Sequence, residues 1–310
     1  MGIVVVGAIF IDVKGYPLDK YIPGGRNVGR VEQVHGGVSR NIAEDIANLE
    51  LRPTFVSVVD DSGLGKDAIA KLKNHKVNTD YIGISEDGLG TWLAIFDNQG
   101  DVVASISKRP DLSGIVKIID EHGDEIFKDC DSIAIEIDMD KEIVKRIFHY
   151  AKKYGKQVYA AISNMSIALK RRDLLKQAGC LVCNIQEAGM LFFEDYEGKS
   201  PEEMAEILKD KLVQSGICKM VVTMGDKGAA YASNNGEYGY IDAMKVSVVD
   251  TTGAGDAFFA GVSVGLTYGK SLKEACLIGN RLASSVICTI DAVCPRFLPS
   301  EFGLDVEVND

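Results

Sequence analysis

One stretch near the carboxyl-terminal end combines glycines and acidic residues in a way that suits chemistry on phosphate. It reads Asp250-Thr251-Thr252-Gly253-Ala254-Gly255-Asp256, between a strand predicted at Val246–Val249 and an apolar helix predicted from Ala257. A Gly-Ala-Gly turn that opens a helix points several backbone N–H groups the same way, and the helix dipole adds to their attraction for an anion. We therefore predict an anion hole at Gly253, Ala254 and Gly255.

Asp256 adds a second chemical function to this stretch. A carboxylate repels an anion that is only to be bound, so its place beside the anion hole favours general-base catalysis. In phosphoryl transfer, a base accepts the proton of the attacking hydroxyl while fixed donors stabilise the moving phosphoryl group. The alternative for this stretch is an ordinary helix start with an acidic first turn. The sequence predicts that Asp256 serves phosphoryl transfer to a hydroxyl.

The rest of the chain alternates short β-rich runs with amphipathic helical patterns. This alternation predicts a mostly parallel sheet with helices on both faces. The predicted strands are Ile3–Ile11, Thr54–Val59, Ser132–Ile137, Gln157–Ala161, Cys180–Asn184 and Met220–Thr223. The predicted helices are Val38–Leu49, Lys66–Asn74, Lys141–Tyr154, Ile167–Gln177, Pro201–Ser215, Ala257–Leu266 and Leu272–Cys288. We expect an α/β fold in which residues 1–310 form a single domain.

Two stretches break the alternation, at about residues 12–35 and 90–108, and predict a small β-flap beside the main sheet. The first contains the strand-like run Arg30–Val34, and the second has the pattern of a hairpin formed by Thr91–Phe96 and Val102–Ile106. Such a flap could close over a ligand as a lid and exclude water. A decorative hairpin and a homodimer contact are the alternatives, since exposed strand edges often pair.

Composition excludes several classes of partner. The chain of 310 residues carries 34 Lys and Arg against 45 Asp and Glu, a formal net charge of −11, which disfavours nucleic acid and anionic membranes. No apolar run has the length of a membrane span. The seven cysteines are odd in number and scattered, which is typical of reduced thiols and predicts a cytoplasmic protein.

Five motifs in order resemble those of the ribokinase-like (PfkB) carbohydrate kinases, over nearly the whole chain. Asp250–Gly261 is similar to the carboxyl-terminal signature of that family, and Gly36–Ala43 to its first Gly-Gly…Asn-x-Ala signature. The shorter matches are Asp60–Gly65, without its leading Gly, Asn184–Glu187 (N-x-x-E) and Thr223–Gly228 (T-x-G-x-x-G). The resemblance implies a ribokinase-like three-layer α/β/α core with a β-flap lid. It also implies an ATP-dependent phosphotransferase that acts on an alcohol group.

The resemblance also implies a role for each matched residue. Asp256 would be the catalytic base, and the backbone at Gly253, Ala254 and Gly255 would form the anion hole. The residues implied to hold a small-molecule substrate are Asp12, Gly36, Gly37, Arg40 and Asn41. Those implied to bind ATP are Asn184, Thr223, Gly225, Gly228 and Asn280. Mg²⁺ would be held through water by Glu187, and a monovalent cation such as K⁺ by Asp250 and Thr252.

The substrate is expected from the residues around Arg40. An Arg directly before Asn41, together with the opening Gly7–Tyr16, is similar to pseudouridine kinases, which phosphorylate the 5′-hydroxyl of a C-nucleoside. A surface position on a helix is the alternative for Arg40. For the protein, the alternatives are a sugar kinase of the fructokinase or ribokinase type and a catalytically silent nucleoside-binding protein. K⁺ dependence stays open, because Asp291 stands where many ribokinases carry a Gly.

Overall fold

The computed structural model describes residues 2–304 and contains two sheets, the larger one enclosed by helices. The nine strands of the large sheet are β1 (Ile3–Val6), β4 (Thr54–Val59), β5 (Ile82–Ile84), β8 (Ser132–Glu136), β9 (Gln157–Ala161), β10 (Cys180–Asn184), β11 (Lys219–Thr223), β12 (Ala229–Ser233) and β13 (Tyr238–Ile241). They lie in the order β13-β12-β11-β10-β9-β8-β1-β4-β5. The sheet is parallel from β11 to β5, and β12 and β13 form an antiparallel edge.

Helices cover both faces of this sheet. They are α1 (Val38–Ala47), α2 (Gly63–Asn74), α3 (Ser113–Phe127), α4 (Lys141–Tyr154), α5 (Met165–Ala168), α6 (Arg172–Leu175), α7 (Ile185–Phe192), α8 (Pro201–Ser215), α9 (Ala254–Thr267) and α10 (Leu272–Val286). Because successive side chains of a strand point to opposite faces, β1 contributes Ile3 and Val5 to the core with α1, α2, α9 and α10. Val4 and Val6 join the core on the side of α3, α4 and α8. The predicted three-layer α/β/α fold is confirmed.

The second sheet is the β-flap. Its strands are β2 (Phe10–Pro17), β3 (Gly29–Gly36), β6 (Gly90–Phe96) and β7 (Val102–Lys108), in the order β3-β2-β6-β7. Asp12 pairs with Trp92 across β2 and β6, so both side chains lie on one face of the flap. By the same register Val31 and Ile106, which are 70% and 71% exposed, lie on the opposite face. The flap therefore has a polar and aromatic face towards the large sheet and an apolar face away from it.

The single strand predicted over Ile3–Ile11 is wrong. The chain leaves the large sheet after Val6 and enters the flap at Phe10. A Cβ at Gly7 would lie 1.9 Å from Ser39 Oγ, so only glycine leaves room for α1 to pack here. Asp12 consequently lies within a flap strand, and not directly after a strand of the large sheet as the predicted strand Ile3–Ile11 implies.

Two other predicted elements are corrected by the structure. Val246–Val249 is not a strand: Val248 and Val249 are 62% and 58% exposed, and a β-branched run without a partner strand does not form one. The helix predicted over Ile167–Gln177 is interrupted, because α5 and α6 are separated by a 3-10 turn at Leu169–Arg171. The guanidinium of Arg171 donates to the carbonyls of residues 137 and 139, which holds this turn against the end of β8.

Helix α3 is an element that the sequence did not predict. Gly114 and Gly123 weaken its helical pattern. Packing explains Gly123, because a Cβ there would lie 2.3 Å from the ring of Tyr150 on α4. Within residues 2–304, no helix has the length and apolarity that a bilayer crossing requires.

Candidate active site

A cavity of about 950 Å³ opens at the carboxyl ends of β1 and β8, under the β-flap. The chain proceeds from β1 through β4 to β5 on one side and from β8 through β9 to β10 on the other. Such a reversal leaves a crevice at the strand ends, where open α/β sheets bind ligands. The volume suits a small organic molecule. The polar residues lining it include Asp12, Asn41, Glu136, Asp138, Ser163, Thr252 and Asp256.

Asp256 lies in the first turn of α9, and Asn41 lies on α1 opposite to it. The side-chain Nδ2 of Asn41 donates to Asp256 Oδ2 at 2.7 Å. Burial raises the pKa of Asp256 to about 7; the hydrogen bond from Asn41 opposes this rise, and the negative charge of Glu136 adds to it. A carboxylate that titrates near neutral pH is suited to accept a proton from a hydroxyl in the cavity.

The backbone at the start of α9 has the geometry of a helix entrance that only glycine permits. Gly253 caps the helix with φ 82°, and a Cβ there would lie 2.0 Å from the carbonyl oxygen of Ala292. A Cβ at Gly255 would have open space around it. The amide of Ala254 donates to the Thr251 carbonyl at 3.3 Å. The exposed face at Gly255 is thus where an anion could approach the N–H groups of the first turn.

The substrate half of the predicted site is built around Asp12. Gly36 lies directly beside it, since a Cβ at Gly36 would be 2.4 Å from the Asp12 carboxylate oxygens. Gly37 adopts φ 97° and lines the cavity together with Asn41. Burial raises the pKa of Asp12, and the positive charges of Lys14 and Arg40 oppose this rise. The structure thus brings Asp12, Gly37, Asn41 and Asp256 to one cavity.

Arg40 is neither on the surface nor among the residues that line the cavity. Its side chain is 2% exposed, which contradicts the surface alternative. The guanidinium donates to Glu44 Oε2 at 2.5 Å, to Asn41 Oδ1 and to the carbonyl oxygen of His35. The acceptors of this arginine are therefore protein groups, and Asn41 links it to the cavity.

The sequence interpretation missed Glu136, which ends β8 at the floor of the cavity. Glu136 Oε1 accepts from Ser39 Oγ at 2.6 Å, and Oε2 accepts from Ser163 Oγ at 3.0 Å. Burial raises the pKa of Glu136. The signal was present in the sequence, because an acidic residue interrupts the apolar run Ser132–Ile137 at the end of a predicted parallel strand.

Four of the five predicted ATP residues lie at the ends of two neighbouring strands or in the turn that follows, and the fifth lies on α10. Asn184 of β10 and Thr223 of β11 are partners in the parallel register. Gly225 and Gly228 follow with φ 62° and 105°, and a Cβ at Gly228 would lie 2.0 Å from a carbonyl oxygen of β13. Asn280 of α10 donates from Nδ2 to the carbonyl oxygen of residue 242 at 2.9 Å. The structure brings Asn184, Thr223 and Gly225 together, and Asn280 bridges α10 to the chain after β13.

The residues predicted to bind Mg²⁺ and K⁺ have partners within the protein. Glu187 Oε2 accepts from the Asn184 amide at 2.8 Å, a cap that leaves Oε1 for a hydrated cation. Asp250 Oδ1 accepts from the Thr252 amide and hydroxyl, both at 2.8 Å, while its Oδ2 lies 3.9 Å from Lys14 Nζ. Within residues 2–304, no three His, Cys, Asp or Glu side chains cluster as direct metal ligands would.

Comparisons with known proteins show which family this chain resembles over nearly its whole length. The model of the pfkB family carbohydrate kinases matches residues 2–295. A guanosine-inosine kinase of Exiguobacterium acetylicum is 32% identical over 96% of this chain and 98% of its own length. A pseudouridine kinase of Escherichia coli K12 is 26% identical over 88% of this chain and 87% of its own. Arabidopsis thaliana ribokinase, solved with ribose and ATP, superposes with a TM-score of 0.81 at 21% identity, covering 98% and 99% of the two chains.

Proposed function

Because the chain belongs to the pfkB family of carbohydrate kinases, whose members are phosphotransferases acting on hydroxyl groups, we propose that it phosphorylates a nucleoside. The phosphate donor is ATP, and the acceptor is the 5′-hydroxyl of the ribose. Guanosine and inosine are the first candidates, since the relative that matches the full length at 32% identity is named for them. Pseudouridine, which the residues around Arg40 suggested, is the second candidate.

The observation that carries this proposal is the position of Asp256 beneath a cavity with aromatic walls. Asp12, Gly37 and Asn41 surround the base with groups that bind hydroxyls. Phe10 and Trp92 line the same cavity and offer apolar surface to a flat ring. A free pentose has no such ring to place there, whereas a nucleoside does. The cavity therefore favours a nucleoside over a simple sugar.

A carboxylate that lines the same cavity favours bases that carry N–H donors. Asp138 is buried, and its carboxylate accepts from the amide and hydroxyl of Ser163 at the cavity wall. An ionised carboxylate only accepts hydrogen bonds. Guanine, hypoxanthine and the uracil of pseudouridine all present a ring N–H to such an acceptor. This shared chemistry supports both candidate substrates.

The reaction follows from the roles of these residues. Asp12 and Asn41 hold the ribose so that its 5′-oxygen faces Asp256, which accepts the hydroxyl proton. That oxygen forms a bond to the γ-phosphorus of ATP while the bond from this phosphorus to the β–γ bridging oxygen breaks and ADP leaves. The N–H groups at the start of α9 stabilise the charge on the phosphoryl oxygens. Glu187 would hold Mg²⁺ through water, and bound Mg²⁺ supplies charge neutralisation on the phosphates.

We also propose that this reaction takes place in the cytoplasm. All seven cysteines are free thiols, including Cys180 and Cys183 on β10, as expected for a reducing compartment.

The proposal is tested by measuring ADP release with guanosine, inosine, pseudouridine, adenosine, ribose and fructose, with K⁺ or Na⁺ as the monovalent cation. We expect kcat/KM for guanosine or inosine to exceed that for ribose by at least about tenfold, since a buried ring contributes about 1.5–3 kcal/mol. The Trp92→Ala variant should lose this preference and keep its activity on ribose. A higher kcat/KM for a free sugar would refute the nucleoside assignment. Nucleoside binding by calorimetry without ADP release would instead identify a silent binding protein.

A further inference from the structure

A continuous chain of hydrogen bonds runs from the buried side of α1 to the catalytic base. Arg40 Nη1 donates to Glu44 Oε2 at 2.5 Å, and Nη2 donates to Asn41 Oδ1. Asn41 Nδ2 in turn donates to Asp256 Oδ2 at 2.7 Å. Arg40 and Glu44 are 2% and 1% exposed, so solvent does not compete for these contacts. The arginine therefore contacts the residue that contacts the base.

The donors and acceptors of these groups allow only one orientation of the Asn41 amide. A guanidinium has donors and no acceptor, so only the oxygen of the Asn41 amide can face it. The NH₂ group of that amide is then turned towards Asp256. The reverse orientation would put an N–H group against the guanidinium and an oxygen against the carboxylate, and both contacts would be repulsive. Arg40 thus selects the orientation in which Asn41 donates to the base.

The same side chain also holds the joint between the β-flap and α1. Arg40 Nη2 donates to the His35 carbonyl, and Nε donates to the Gly36 carbonyl at 3.4 Å. These two residues end β3, and Gly36 packs against the Asp12 carboxylate. One guanidinium consequently links the strand beside the substrate carboxylate to the amide beside the base.

The charges that face Asp256 come from three directions. Glu136 of β8 and Asp12 of β2 act on Asp256 as negative charges. Asp45 of α1 also interacts with Asp256, and burial raises the pKa of Asp45 well above its ordinary value. Arg40 is the positive group among those that act on Asp256. Burial, Glu136 and Asp12 raise the pKa of Asp256, whereas the Asn41 hydrogen bond and the Arg40 charge lower it.

At the other end of this hydrogen-bond chain, the charge of Glu44 is balanced by groups on α2 and at its carboxyl-terminal end. Glu44 Oε1 lies 3.3 Å from Lys71 Nζ and 3.4 Å from His75 Nε2. Although burial raises the pKa of Glu44, the charges of Arg40, Lys71 and His75 lower it below its ordinary value. Glu44 therefore remains ionised and holds the guanidinium in place.

We propose that Arg40 is a positioning residue of this kinase: it orients the Asn41 amide towards Asp256 and fixes the joint of the β-flap, without touching the substrate. This inference rests on the proposed function, because it assigns Asp256 the role of the base. It replaces the direct contact between Arg40 and substrate that the family resemblance implied.

The test uses variants that separate charge from geometry. Arg40→Lys keeps a positive charge but loses the fork that reaches Asn41 and Glu44 together. Arg40→Met combined with Glu44→Met removes the pair without leaving an uncompensated buried charge, so the fold should survive. Leu208→Ala, in the buried face of α8 and outside the cavity lining, is the control for lost stability.

We expect kcat to fall about 10–100-fold in both Arg40 variants, a part of what a general base contributes. KM for the nucleoside should change by less than about threefold, because Arg40 does not contact it. The acidic limb of the kcat/KM profile should move about one pH unit higher in the double variant and stay in place in Arg40→Lys. Of the Arg40–Glu44 pair, Arg40 is the group whose charge lowers the pKa of Asp256, and its removal raises that pKa. The proposal would be overturned if the double variant kept the wild-type kcat and the wild-type acidic limb of the kcat/KM profile. It would also be overturned if Leu208→Ala showed the same changes as the Arg40 variants.

A readout without turnover separates this inference from the proposed function. The carboxyl carbon of Asp256, labelled with ¹³C and assigned by its absence in Asp256→Asn, is titrated by NMR in the wild type and in the double variant. An upward shift of its midpoint in the double variant supports the link from Arg40, even where no tested nucleoside or sugar is phosphorylated, an outcome in which only the proposed function fails. An unchanged midpoint with full turnover in the wild type refutes the link and leaves the kinase assignment intact.

Discussion

Replacing Asp256 by Asn should remove most of the turnover and stabilise the fold at the same time. The amide cannot accept the proton of the attacking hydroxyl, so we expect kcat to fall about 10²–10⁴-fold while ATP still binds. The side chain is nearly isosteric, and its oxygen can still accept the hydrogen bond from Asn41 Nδ2. The variant therefore tests the charge of Asp256 with little change of shape.

The stabilisation follows from the pKa of Asp256, which burial raises from 3.8 to about 7. Between these values the unfolded chain releases the proton while the folded chain retains it, so wild-type stability falls as the pH rises from about 4 to about 7. One pKa unit corresponds to about 1.4 kcal/mol, which sets an upper bound of about 4 kcal/mol. Because the side chain keeps contact with the cavity, we expect Asp256→Asn to be more stable than the wild type by roughly 2–4 kcal/mol above pH 7.

The assay is urea unfolding of wild type and Asp256→Asn at several pH values from 4.5 to 8. The variant should be more stable than the wild type by an amount that grows up to about pH 7 and is constant above it. Asp210→Asn, on the exposed face of α8, is the matched control and should show no such difference. Equal stability of Asp256→Asn and wild type at pH 8 would refute the reasoning that burial raises the pKa of this carboxylate. Full activity of the variant would exclude Asp256 as the base.

Three further predictions concern the backbone, the cation and the flap. Gly253→Ala should destabilise the fold by about 1–3 kcal/mol and lower kcat, whereas Gly269→Ala, with φ 79° and open space around its Cβ, should lose less in thermal unfolding and keep its kcat. Lys14 already places an ammonium group beside the predicted cation site, so exchange of K⁺ for Na⁺ should change kcat by less than about fivefold; a larger change would contradict this. We predict a homodimer through the apolar outer face of the β-flap, so light scattering should show Ile106→Asp as a monomer and Val213→Asp, equally exposed on α8, as a dimer.

Much of the fold could be predicted because its signals are local. A continuous apolar run such as Cys180–Asn184 indicates a buried parallel strand, and it is one in the structure. The periodic pattern of Pro201–Ser215 likewise predicted α8 with the bounds that the structure shows. The errors arose where packing outweighs local preference. Val246–Val249 has the residues of a strand but no neighbour to pair with, and α3 forms despite two glycines because it packs on α4.

The sequence by itself predicted an anion hole and a base at the Gly253–Asp256 turn and determined that these groups lie together. An anion hole and an acidic group in one helical turn depend on residues a few positions apart, and local backbone geometry places them together. The tertiary structure alone decided what surrounds that turn. Asn41 meets Asp256 across 215 residues, Glu136 arrives from the end of β8, and Arg40 turns inward to Glu44 instead of outward to solvent. Periodicity specifies which face of an element is buried, but it does not specify which distant side chain the packed elements bring against it.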